Sequence, residues 1–264
     1  MKLAVVTATT NEARSQACRN SWRLNALHKD MHMGTLVNGE GGAYLGTVPA
    51  FRRAIGEALE SEADIIACLH DDFQILEPHW DVKVIKHFER HPNCGLAGFG
   101  GAIGLADERI YTIPYDPMQL ARVGFRSNLI DAEAHGLRSL LPERVACLDG
   151  FSQIGTRQFW EGYRNHERSL VRYTTKDMPW TILEELGFVH HFYDGALGAI
   201  AKRHGWETWY IPLRGQHFGG QTAVGDAGYG DWAKTQVEGG DQGFWQAAHR
   251  IGYDAFKDVL PIRL

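Results

Sequence analysis

Cysteine is scarce in this 264-residue sequence, and the four present, Cys18, Cys68, Cys94 and Cys147, are far apart with no C-x-x-C pair. That spacing gives neither a zinc-site pattern nor a disulfide framework, so all four read as small buried apolar residues. Long apolar runs are missing too, and no segment approaches the roughly 20 residues of a membrane-spanning helix. The opening run Met1–Thr10 is too short for a secretory leader and has no small-residue cleavage pattern after it, so a soluble, cytoplasmic protein is expected. Positive charge is not in surplus. The formal net charge is −5, which leaves no global basic field for nucleic acid or an anionic membrane, although local basic patches remain. No G-x-x-x-x-G-K-[ST] sequence is present, which disfavours a P-loop kinase. Gly98-Phe-Gly100-Gly-Ala-Ile-Gly104 is outside the first strand-turn-helix unit where a dinucleotide fingerprint belongs. Internal repeats and low-complexity tracts are absent.

What the chain does have is 44% hydrophobic residues, enough for a sizeable core, in an alternating pattern of strands and helices. Residues 2–8 read as a strand. Asn11 then caps a helix to about His28, with Ala13, Ala17, Leu24 and Leu27 on its apolar face. Gly34–Val37 form a second strand, followed by a loop with glycines at 39, 41, 42 and 46. Pro49 lies near the start of a helix bearing Phe51, Ile55, Ala58 and Leu59. Ala63–Leu69 is the strongest strand signal, and Pro78 opens a third helix with Val84, Ile85 and Phe88 as its stripe. The alternation predicts an α/β fold with a mostly parallel central sheet and helices on both faces. Residues 105–144 lose this period and read as a loop-rich elaboration. Val145–Leu148 read as a short strand, Thr156–Tyr163 as a helix, Asp194–His204 as a helix stopped by Gly205, Trp206–Leu213 as a strand, and Asp241–Phe256 as a terminal helix. The glycine-dense stretch 215–243 suits a mobile segment closing over a ligand.

The chemistry concentrates at His70-Asp71-Asp72. An apolar run like Ala63–Leu69 fits a central strand buried on both faces, and carboxylates at its end then project into a crevice. Two hard oxygen ligands there suit Mg²⁺ or Mn²⁺, while Asp residues after a strand also cap turns. His217, inside Gly-Gln-His-Phe-Gly-Gly, is a candidate contact to a metal or a diphosphate. Asp194 opens a helix and can be an N-cap, a general base or both. Arg164, Arg168 and Arg172, at i, i+4 and i+8 with Arg157 earlier, would share one helix face, either simply solvated or meeting an anionic acceptor. Trp160, Trp180, Trp206, Trp209, Trp232 and Trp245 are mostly core, with room for one or two beside a cleft to stack on a sugar or base.

These residues, in this order, resemble the GT-A glycosyltransferases, particularly the family 2 type that uses nucleotide-sugar donors. Leu3-Ala-Val-Val-Thr-Ala-Thr-Thr-Asn-Glu12 looks like the family's opening strand and nucleotide loop, and Val37-Asn38-Gly39-Glu40 falls where a polar residue sits near the donor base. His70-Asp71-Asp72 falls at the acidic metal motif. His191-Phe-Tyr-Asp194, the following helix and strand, and Gln216-His217-Phe-Gly-Gly220 are similar to the catalytic acid and late histidine. The likeness spans roughly residues 3 to 222. It implies a single GT-A (Rossmann-like) domain over 1–264, with a nucleotide-sugar half at 1–104 and an acceptor and catalytic half at 105–264. It further implies Thr7, Thr9, Asn11 and Asn38 around the donor nucleotide, Asp71 facing the ribose or sharing the ion, and Asp72 as chief ligand of Mn²⁺ or Mg²⁺. His217 and His70 join the metal, and Asp194 acts as base. Two departures stand out: His70 replaces the usual Asp or Asn, and Tyr193 precedes Asp194 where Glu is common.

The activity so implied is sugar transfer with inversion from a nucleoside diphosphate sugar, a uridine or thymidine diphosphate donor in first place, to a hydroxyl acceptor that can be a polymer. Nucleic acid is the less favoured acceptor. The alternatives are a metal-dependent hydrolase of a sugar or phosphate ester using His70, Asp71, Asp72, His190, His191 and His217, and a non-catalytic nucleotide-sugar-binding module.

Overall fold

The computed structural model describes residues 1–39, 44–105, 122–130, 136–166, 169–172, 177–219 and 227–264. Glu40, Gly41, Gly42, Arg168, Gly220 and most of the 105–121 stretch lie outside them. The first part alternates as expected: β1 Leu3–Thr9, α1 Glu12–Asn25, β2 His32–Val37, α2 Thr47–Leu59, β3 Ile65–Leu69, β4 Phe73–Ile75, α3 Trp80–Arg90 and β5 Cys94–Gly98. There follow β6 Gly100–Leu105, β7 Arg122–Ser127, β8 Glu143–Arg144, β9 Cys147–Leu148, β10 Ser152–Thr156, α4 Arg157–Trp160, β11 Tyr163–His166 and β12 Ser169–Arg172. Last come α5 Pro179–Glu185, α6 Tyr193–Arg203, β13 Glu207–Tyr210, β14 Gly215–His217, α7 Ala227–Gln236, α8 Gly240–Phe256 and β15 Ile262–Arg263. No helix among the described residues is long and apolar enough to cross a membrane.

The seven-stranded sheet has the order β2-β1-β3-β10-β5-β13-β8 and is mixed. Pairs β1–β2, β1–β3 and β5–β13 are parallel, whereas β10 runs antiparallel between β3 and β5, and β8 is an antiparallel edge. Side chains alternate between two cores as the strand period of two requires. Ala4 and Val6 of β1 and Ile66 and Cys68 of β3 join one buried cluster with α2, α5 and α6. Leu3 and Val5, with Ile65, Ala67 and Leu69, join the other with α1 and α3. Helices thus cover both faces, which is why β3 has no polar alternation. None of the four cysteines forms a disulfide, and all are buried.

Several expectations need correction. The buried face of α1 is Ser15, Cys18 and Trp22, while Leu24 is 76% and Leu27 53% exposed. Trp22 decides this, because its indole buries more area than the leucines and its Nε1 donates to the Phe73 carbonyl at 2.8 Å. The helix expected over Thr156–Tyr163 stops at Trp160, and Gly162 turns the chain at φ +79°. Arg164 and Arg172 then lie on the paired strands β11 and β12, so these two described arginines share no helix face. Arg164 pairs with Asp177 at 2.8 Å. Arg157 is structural: its guanidinium donates to the carbonyls of Leu59, at the end of α2, and of Ser61 and Ala63 just beyond it. The 105–144 stretch contains regular structure in its described part, since β7 pairs with β6 and β8 with β13. Gly98 is a packing glycine, because a Cβ there would lie 2.4 Å from the Ser152 carbonyl oxygen.

Asp81 ties α1 to α3. Its fully buried carboxylate accepts from the Leu27 and His28 backbone N–H groups at 2.8 and 2.9 Å and from His28 Nδ1 at 2.7 Å. Burial alone would raise this carboxyl, but those hydrogen bonds outweigh it and hold its pKa below the ordinary value. A depressed carboxyl contributes stability that is complete above its unfolded pKa and lost as pH falls through the folded value. Asp81→Ala should therefore cost roughly 2–3 kcal/mol in urea unfolding at neutral pH. Asp81→Asn should lose less stability than the native protein as the pH falls below the ordinary carboxylate range.

Candidate functional site

A cleft of about 540 Å³ opens outside the carboxyl ends of β1, β2 and β3, the position where open α/β sheets bind ligands. Ala8, Thr9 and Thr10 line it from β1, Asn38 from β2, and His70, Asp71 and Asp72 from β3. Because β10 is antiparallel, Ser152 faces Leu69, and the preceding Asp149 and Gly150 arrive at the same end. Gly46 and Thr47 at the start of α2, and Tyr193 and Asp194 at the start of α6, also line the cleft. The positive ends of two helices therefore meet four aspartates, Asp71, Asp72, Asp149 and Asp194.

The two carboxylates after β3 have different partners. Asp71 accepts the Thr9 hydroxyl and an Arg14 guanidinium N–H at 2.7 Å. Asp72 faces two imidazoles, with its Oδ1 3.1 Å from His217 Nε2 and 3.8 Å from His70 Nδ1. Burial would raise the Asp72 carboxyl, but the adjacent His217 and His70 imidazoles and the Arg14 guanidinium outweigh it and hold it at about 2. Burial also lowers the His70 pKa, which favours the neutral imidazole a metal requires. One ligand atom each from His70, Asp72 and His217 lies within 4.8 Å of the others.

His217 reaches Asp72 through a non-local pairing. Strands β4 and β14 run antiparallel with His217 opposite Phe73, and the Phe218 N–H donates to the Asp72 carbonyl at 3.0 Å. Gly215 permits this, since a Cβ there would lie 2.6 Å from the Phe73 ring and 2.9 Å from the Gln74 carbonyl. The His217 ring stacks on Phe151 at 4.9 Å. Two imidazole nitrogens and one carboxylate oxygen are a donor set that can chelate a divalent ion, and its nitrogens suit Mn²⁺ better than Mg²⁺.

The other named residues divide. Asn38 lines the cleft, its backbone N–H donating to the Thr9 carbonyl and its Oδ1 accepting from Leu45 N–H at 2.8 Å. Thr9 lines the cleft but is occupied with Asp71. Thr7 is fully buried inside β1, and Asn11 is the exposed N-cap of α1, accepting from Arg14 N–H; neither lines the cleft. Asp194 lies in the first turn of α6, where Oδ1 accepts from the Gly195 N–H at 2.7 Å, while the N-cap residue is Phe192. His190 and His191 line the cleft outside the three-residue donor cluster, and His190 Nδ1 is 2.7 Å from Thr47 Oγ1. Of the tryptophans, Trp245 is 38% exposed and borders the cleft, with its ring 4.2 Å from His249.

Sequence reasoning missed Thr10, Arg14 and Asp149. Thr10 Oγ1 is buried in the cleft wall with no protein hydrogen-bond partner. Arg14 had a readable signal, since a basic residue in the first turn after an Asn cap is unfavourable to the helix dipole unless an anion is near.

No protein-family model matches this chain, and no curated protein matches it significantly. Among solved structures, A197 from STIV is similar at 14% identity over 83% of this chain and 86% of that one, with a TM-score of 0.46. GalNAc-T7, solved with UDP, GalNAc and Mn²⁺, is similar at 11% identity over 82% of this chain but only 44% of its own length, with a TM-score of 0.48. CMP:2-keto-3-deoxy-manno-octonic acid synthetase, solved with CTP, has 12% identity over 81% of this chain and 90% of its own, and a TM-score of 0.38. Superpositions this loose fix neither a reaction nor a ligand.

The unequal partners of the two carboxylates lead to a direct test. In Mn²⁺ titration calorimetry, Asp72→Ala should abolish binding, whereas Asp71→Asn, which keeps an acceptor for Thr9, should retain it within a few-fold. Equal loss in both variants would show that the ion is shared.

Proposed function

We propose that this chain is a metal-dependent transferase that moves a sugar from a nucleoside diphosphate sugar, with uridine or thymidine as the base, to a hydroxyl acceptor with inversion. The observation that carries this reading is that His70, Asp72 and Asp194 line one cleft, with His217 completing the three-residue donor set beside Asp72. A nucleotide diphosphate cannot enter among four aspartates without compensation, and two features supply it. The starts of α2 and α6 present helix N-termini, which favour anions. His70, Asp72 and His217 would hold a divalent ion, which would supply the larger positive charge and Lewis-acid stabilisation of a leaving diphosphate.

In this scheme Thr10 and Asn38 hold the nucleoside, with Thr9 fixing Asp71 behind them and Thr7 and Asn11 supporting that wall from within the strand and from the helix cap. Asp71, pinned by Arg14 and Thr9, faces the ribose. Asp194 takes the proton from the acceptor hydroxyl at its carboxylate. Residues 1–104 form the donor half and 105–264 the acceptor half.

A second reading has its own support, because two histidines and a carboxylate are also a common ligand set for catalytic zinc, so a hydrolase of sugar or phosphate esters fits the same cluster. Product analysis separates the two: a hydrolase runs at full rate without an acceptor, and a transferase does not.

Uridine or thymidine diphosphate should raise the melting temperature only when Mn²⁺ is present, because a ligand specific to the folded state stabilises it by mass action. No shift with any nucleotide diphosphate would remove the donor from the scheme. Asp194→Asn should fold normally and lower turnover by about 10²–10⁴-fold. Unchanged turnover would move the base role to another carboxylate, with Asp149 next in line.

A further inference from the structure

We infer that Tyr193 is a positioning residue that sets the tautomer of His70 and thereby turns its Nδ1 lone pair toward Asp72. The inference rests on the metal reading of the His70–Asp72–His217 cluster, and its first step can be tested without any metal. His70 Nε2 lies 2.7 Å from Tyr193 Oη, and Tyr193 Oη lies 3.1 Å from the Gly150 carbonyl oxygen. A tyrosine hydroxyl has one proton and a carbonyl can only accept. If that proton goes to Gly150, the hydroxyl oxygen must accept from His70, which places the imidazole proton on Nε2. His70 Nδ1 is then unprotonated and faces Asp72 Oδ1 at 3.8 Å.

The opposite tautomer fits the distances poorly. It would put a proton on Nδ1 with Asp72 at 3.8 Å, beyond hydrogen-bond reach, and would require Tyr193 to give up the Gly150 carbonyl. The order Nδ1 lone pair, Nε2–H, tyrosine oxygen and backbone carbonyl is the arrangement that fixes ring orientation in metal-ligating histidines.

The local fold holds the relay in place. Tyr193 is the first residue of α6 and is 5% exposed, so its hydroxyl is fixed by the helix start. Gly150 leaves the necessary room, because a Cβ at that position would lie 2.7 Å from Tyr193 Oη. The Phe51 ring lies nearly parallel to the His70 ring, with 6.1 Å between centroids. Tyrosine before Asp194 thus has a role of its own toward His70.

The experiment combines ¹⁵N NMR of histidine-labelled protein with Mn²⁺ titration calorimetry of the native chain and Tyr193→Phe. In the metal-free native protein, His70 should show a protonated Nε2 and an unprotonated Nδ1. Tyr193→Phe should keep cooperative urea unfolding, mix the His70 tautomers, leave the His217 signals unchanged, and weaken Mn²⁺ binding by about 10–100-fold. A native His70 carrying its proton on Nδ1 would overturn the inference, and this measurement does not need the variant to fold. Native Mn²⁺ affinity in Tyr193→Phe would overturn it as well. If the native chain binds no Mn²⁺, the metal reading falls, and the NMR tautomer still decides whether Tyr193 sets His70.

Discussion

Strands β4 and β14 are three residues each, and their antiparallel pairing is the contact on which the candidate site depends. It brings His217 beside Asp72 although the two are far apart in sequence. The pairing is supported from both sides. Trp22 of α1 donates to the Phe73 carbonyl of β4, and Trp80 of α3 donates in turn to the Trp22 carbonyl. On the other strand, Gly215 accepts from the Ile130 N–H and lets the Phe73 ring lie against its backbone. Two buried indoles and one missing side chain therefore hold an imidazole against a carboxylate.

The electrostatics follow from that geometry. Asp71 and Asp72 are adjacent in sequence yet have separate roles, since Asp71 is neutralised by Arg14 and Asp72 faces imidazoles. Asp149 and Asp194 add negative charge across the same opening. A pocket of this kind attracts a cation first and an anionic ligand only afterwards. The starts of α2 and α6 line the same cleft, as the proposed nucleoside diphosphate requires.

Much of the first hundred residues was legible in sequence because local signals and tertiary structure agree there. The apolar run before His70, the Asn11 cap and the stripe of α2 all appear as expected. The failures are equally physical. The α1 face differs because Trp22, and not the leucines, sets it. The arginines at i, i+4 and i+8 imitate a helix, but a turn at Gly162 and cross-strand pairing override that spacing. The antiparallel β10 could not be foreseen, because nothing local marks the direction in which a short buried strand enters a sheet. The site was half legible: His70, Asp72 and His217 were all named, but their convergence depends on a pairing between distant segments. Arg14 and the Tyr193–Gly150 link are likewise tertiary.

The central claim is that His70, Asp72 and His217 bind one divalent ion together. Pulsed electron paramagnetic resonance of the Mn²⁺-loaded protein tests it directly, because imidazole nitrogens couple to the manganese spin and carboxylates and water do not supply such couplings. The account predicts nitrogen couplings from two imidazoles, with one lost in His70→Ala and the other in His217→Ala. A bound Mn²⁺ with oxygen ligands alone would contradict it.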